Sequence, residues 1–106
     1  MTNLEDLTKK YLPYSLYTRE DYPYPRFRPL MAMRYIADCI EAGHQFLGIS
    51  GFYYYKGEGI QPEQDFEVDL EDFEDKQAFY AKVGKIIMGN IGKEVLFEIC
   101  FEPKAD

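Results

Sequence analysis

The chain has no tryptophan, one histidine and only two cysteines among its 106 residues. Cys39 and Cys100 stand far apart, so neither a Cys-x-x-Cys pair nor a dense disulfide framework is available. Both read as reduced structural thiols, the usual state in a cytosol. One histidine and two separated cysteines do not make a zinc site at any recognised spacing. No apolar run approaches the ~20 residues that span a bilayer. The opening Met1-Thr2-Asn3-Leu4-Glu5-Asp6 carries neither a basic start nor an apolar stretch, so no signal peptide is expected and the expected compartment is cytoplasmic. No phosphate loop is present either: Gly48-Ile49-Ser50-Gly51 lacks the following helix and lysine. No excess of positive charge exists; the net charge is -7. That sign disfavours nucleic acid and anionic membrane as partners.

The negative charge is concentrated. Residues 57–75 hold nine acids, Glu58, Glu63, Asp65, Glu67, Asp69, Glu71, Asp72, Glu74 and Asp75, and no base. The segments on either side each carry a net +1. Such a field steers a basic partner inward, or only keeps the chain soluble. The run Asp65-x-Glu67-x-Asp69-x-Glu71 superficially resembles a calcium loop, but its sixth-position glycine and final glutamate are missing. Strand alternation with Phe66, Val68 and Leu70 explains it better. No cofactor is implied. Cys39 and His44 lie at one helix edge, yet Cys39 falls near the apolar face, which disfavours a nucleophile pair. His44 is expected to cap or pack.

Aromatics are abundant, with ten Tyr and eight Phe. The length suits one domain with one core. A first helix is expected over Leu4–Leu12, with Thr2 and Glu5 as a capping box. Residues 13–29 hold four prolines and read as an irregular connection studded with Tyr14, Tyr17, Tyr22 and Tyr24. A second helix begins at Pro29, buries Leu30, Met33, Ile36, Ala37 and Ile40, and ends at Gly43. A strand follows over Gln45–Tyr55, its glycines marking a bulge or close backbone approach. Lys56–Gly59 turns into a short edge strand at Ile60–Pro62, and Phe66–Leu70 is half-buried and extended. A third helix is expected over Glu71–Gly89, capped by Asp69, with Phe73, Tyr80, Val83, Ile87 and Ile91 inward and Gly84 packed closely on the sheet. The last strand, Glu94–Glu102, turns Val95, Phe97, Ile99 and Phe101 one way. The sum is a two-layer α+β domain of order α-α-β-β-α-β. Its small mixed or antiparallel sheet has three to four strands, covered by helices on one face.

The stretch from Met31 to Phe66 carries a helix ending in Gly43, a strand with Leu47-Gly48, then Tyr53–Tyr55, Gly59-Ile60, Pro62 and Asp65-Phe66. This layout resembles the small α+β immunity proteins of bacterial polymorphic toxin systems, specifically the immunity protein 40 group. The family's usual Gly-Gly-Asp run and tryptophan are replaced here by Gly48-Ile49-Ser50-Gly51 and Phe66. The resemblance implies a cytoplasmic inhibitor that binds a cognate toxin protein, itself basic, and blocks it without catalysis. Beside it, the residues point to an acidic, tyrosine-rich contact formed by Tyr53, Tyr54, Tyr55, Glu58, Glu63, Asp65, Glu67 and Asp69. Strand alternation predicts Tyr54 opposite Tyr53 and Tyr55, with at least one ring exposed. A monomer or weak dimer is expected. A small acid/base enzyme using the same carboxylates stays open, as does a subunit-contact protein using the strand edge near Ile60.

Overall fold

The computed structural model describes residues 3–16, 25–55 and 59–104. The first helix, α1 (Leu4–Tyr11), is capped by Asn3, whose side chain accepts from the Asp6 amide at 2.8 Å. Asn3 therefore does the work expected of Thr2, which lies outside the described residues. Glu5 and Asp6 sit in the first turn and Lys9 and Lys10 in the last, matching the helix dipole. Pro13 ends the helix in a short 3-10 turn, Leu12–Tyr14.

The proline-rich connection is not wholly irregular. Arg26–Phe27 forms a two-residue strand, β1, squeezed between Pro25 and Pro29. The Arg26 amide donates to Ser15 Oγ, and the Leu16 amide donates to the Arg26 carbonyl. Tyr17, Tyr22 and Tyr24 lie outside the described residues.

Helix α2 (Pro29–Glu41) begins with proline at its first position, where a missing N–H costs nothing. Its buried stripe is Pro29, Ala32, Tyr35, Ile36 and Cys39. Leu30, Ala37 and Ile40, expected inward, are exposed. The helix carries two adjacent apolar stripes, and the one bearing Tyr35 wins because α1 packs on it. Tyr35 lies 5.4 Å from the Tyr11 ring, and its hydroxyl shares a 3.0 Å hydrogen bond with Thr8. Gly43 then takes φ +92°, closing the helix as expected. His44 packs: its Nδ1 accepts from the Lys104 amide at 2.9 Å.

Strand β2 (Gln45–Tyr55) matches its predicted bounds. Strand β3 (Gly59–Asp69) is a single eleven-residue strand rather than two short extended pieces. Pro62 is tolerated because β3 is the sheet edge. After a 3-10 turn at Leu70–Asp72, helix α3 (Lys76–Gly89) starts later than Glu71. Asp75, not Asp69, is the cap, accepting from the Gln77 amide at 2.9 Å. Phe73 stays extended so that its ring reaches Phe79, 5.8 Å away. The buried positions of α3 are Phe79, Val83 and Ile87; Ile91 is exposed. A side chain at Gly84 would meet nothing within 4 Å, so that glycine serves no close packing. Strand β4 (Val95–Glu102) completes an antiparallel sheet of order β1-β4-β2-β3.

The fold is thus the expected two-layer α+β arrangement. Val95, Phe97, Ile99 and Phe101 point to the helical layer, where they join Phe27, Tyr35, Ile36, Phe46, Ile49, Val68 and Phe79. Two register breaks in β2, at Phe46/Gly48 against β4 and Ile49/Gly51 against β3, fall at its glycines.

Candidate interaction surface

Three elements build the acidic surface: edge strand β3, the 3-10 turn after it, and the approach to α3. Phe66 and Val68 turn into the core, so Glu67 and Asp69 alternate outward onto the face the helices leave uncovered. Asp65, Glu67, Asp69, Glu71, Asp72, Glu74 and Asp75 are exposed and Glu63 is half-buried. The ion pairs of the described residues lie elsewhere: Lys9–Glu5, Lys10–Asp38, Arg26–Glu98 and Arg28–Glu94. Among the described residues, none of these eight carboxylates meets a Lys or Arg. Their field is therefore directed at solvent. Glu58 lies outside the described residues.

The tyrosines divide as strand geometry requires. Tyr53 stands opposite Val95, a core residue, and its ring lies 5.5 Å from Phe66. It belongs to the helix-covered side, with Tyr55 two residues on, and they are 37% and 44% exposed. Tyr54 is half-buried and turns to the reverse face with Phe52 and Ser50. The expected group of rings and carboxylates is therefore not one patch. Tyr54 shares a face with Glu67 and Asp69, while Tyr53 and Tyr55 mark the strand end on the other side.

The reverse face holds features that the sequence reading missed. An open cleft of about 250 Å³ brings Glu63 and Glu67 beside Ser50, Phe52, Pro62 and Gln64. Next to it, Arg26 and Glu98 form a 3.1 Å ion pair with little exposure, and the guanidinium lies 5.2 Å from the Phe52 ring centre. Leu96, opposite Phe52, is fully buried on this face. A two-residue strand flanked by prolines gave no period from which to place Arg26 there.

A second cleft, about 490 Å³, runs between α1 and β4; among its lining residues are Leu4, Thr8, Tyr35, Asp69, Glu98 and Cys100. Burial, then Asp69 and Glu98, push the Cys100 thiol above its usual range, which disfavours the nucleophilic thiolate. Burial pushes Cys39 up to about 11 in the core. Cys39 is fully buried, and the ring nitrogen Nδ1 of His44 is engaged by Lys104. The Asp65-to-Glu71 run lies along a strand into a 3-10 turn. Among the described residues, no three His, Cys, Asp or Glu side chains are placed to hold a metal. No helix among them is long and apolar enough to cross a membrane. The chain matches no family model, no curated protein and no solved structure.

Proposed function

We propose that the protein is a binding protein of the immunity type, a stoichiometric inhibitor that neutralises a basic bacterial toxin domain in the cytoplasm. One observation carries the reading. Eight described acids run along an exposed sheet edge and onto the start of α3 without a Lys or Arg partner among the described residues. Holding like charges together in this way opposes folding, and a basic partner relieves it on contact. Nuclease toxins present basic surfaces because they bind phosphate backbones. The acids would speed encounter, and Phe52, which lines the cleft with Glu63 and Glu67, would supply a ring beside them.

The test is titration against a candidate toxin domain from a neighbouring reading frame, with co-expression to score protection. Glu67→Lys with Asp69→Lys should slow association at least ~10-fold, and raised salt should slow wild-type association as well. Unchanged affinity in a folded double variant would overturn the acidic edge as the contact. Protection by substoichiometric amounts would instead mark a catalyst.

A further inference from the structure

Five of the eight large apolar side chains that stay exposed among the described residues converge on one end of the domain. The topology puts them there. Tyr53, near the end of β2, stands opposite Val95, the first residue of β4, and the Tyr54 amide donates to the Glu94 carbonyl at 2.9 Å. Helix α3 ends at Gly89 and reaches β4 through a tight turn, which brings Met88 and Ile91 to the same end. Helix α2 opens there too, because its cap Arg28 pairs with Glu94 at 3.4 Å. Leu30 and Met88 are 61% and 55% exposed, more than a solvated surface requires of large apolar groups.

The charge pattern says what can cover this end. Strand β3 runs from Gly59, opposite Tyr55, to Asp69, opposite Gly48, so the acids lie toward the other end of the domain. Among the described residues at the apolar end, Arg28 and Glu94 offset each other and Lys93 adds one positive charge. A molecule of net charge -7 repels its own copies in most orientations. Contact through this end is the exception, because it places the acidic edges at opposite poles.

We propose that this end is the contact of a symmetric dimer, with a second copy of the chain as its occupant. In a two-fold contact Leu30, Met88 and Ile91 of each copy meet the same surface of the other. A handful of side chains buries less than the ~1,200 Å² of a standard interface, so the dimer belongs to the weak class. This inference is independent of the toxin reading.

Sedimentation equilibrium of the full chain between ~10 µM and ~1 mM tests it. The apparent mass should rise from 12.5 kDa toward twice that value. Leu30→Glu with Met88→Glu should raise the dissociation constant at least ~10-fold, and Leu30→Ser should act in the same direction. Ile40→Glu, an equally apolar change at the opposite end of α2, should alter it by less than ~2-fold. Circular dichroism checks that each variant is folded. Added salt should tighten the dimer by screening the repulsion, the reverse of its effect on an acid-steered contact. A single 12.5 kDa species at every concentration overturns the proposal. So does a dimer that the Leu30 and Met88 changes leave intact, or one that Ile40→Glu weakens equally. Protection of Leu30 and Met88 only when another protein is added overturns it as well.

Discussion

Replacing Gly51 by alanine should destabilise the fold for a reason that one further substitution can isolate. Gly51 sits in the central part of β2, opposite Phe97 on one side and at the register break with β3 on the other. Its backbone is ordinary strand, so the need is for space. An added Cβ would lie under 3.0 Å from the Cβ of Phe66 and 3.1 Å from its Cγ and Cδ2. The ring can turn away, but the Cβ is fixed to the β3 backbone. Relief requires the edge strand to move off β2. Overpacking of a filled core costs about 1–3 kcal/mol, and a neighbour that cannot rotate places Gly51→Ala in the upper half. For a urea slope of about 1–3 kcal/mol/M, the midpoint should fall by roughly 1 M or more. Without tryptophan, tyrosine emission and far-ultraviolet dichroism are the signals to follow. Phe66→Ala keeps the offending Cβ and should not relieve the clash, whereas Phe66→Gly should. A double-mutant cycle separates this relief from the cost of losing the ring. A loss under ~0.5 kcal/mol for Gly51→Ala, or equal relief by Phe66→Ala and Phe66→Gly, would refute the reasoning.

Two further outcomes follow from the core. Phe97 is fully buried between Phe27 and Gly51, so Phe97→Ala should cost about 3–5 kcal/mol in urea unfolding, and a loss below ~1 kcal/mol would mean the inward face of β4 is misassigned. Burial first of all holds Cys39 up at about 11 and Tyr35 and Tyr11 at about 12, from ordinary values of 9.0 and 10.0. The native state therefore favours their neutral forms. Their contribution should be full below about pH 9 and fall as pH rises through about 9–12, with Cys39→Ala flattening the lower part of that fall; urea midpoints that do not move between about pH 8 and 11 would contradict this.

What the sequence made legible was whatever local alternation determines. β2 reads correctly to its ends because Gly43 and the Lys56-Gly57-Glu58-Gly59 run bound an aromatic-rich stretch, and β4 because Val95, Phe97, Ile99 and Phe101 alternate with Glu94, Glu98 and Glu102. Gly43 announces its own turn. The acidic edge was legible from composition, since a run without bases has no local counter-ion to hide it. Other features depend on distant partners. Arg26 and Phe27 become a strand through Glu98 and Phe97, and Leu96 is buried although it lies in the polar phase of β4. The stripe of α2 was misplaced because both of its phases are apolar, and α1 decides between them through Tyr11 and Thr8. The start of α3 was misplaced because acids suit a first turn generally, whereas Phe73 is drawn out of the helix by Phe79. The split of Tyr54 from Tyr53 and Tyr55 follows from period two; which side each takes needed the pairing with Val95.

The strand order β1-β4-β2-β3 carries a consequence for how the molecule is made. β4 follows every other described element, yet it lies between β1 and β2 and holds them in one sheet. During synthesis β1 leaves the ribosome long before β4, the strand it pairs with, exists. The β2–β3 hairpin can close early by local pairing, but Phe27, Phe46 and Ile49 have no sheet to complete until Val95–Glu102 emerges. Because loop closure over such separations precedes any gain from contact, the final collapse waits for β4. Until then the like charges of the acidic run around β3 repel other copies of the chain while its apolar strands are still uncovered.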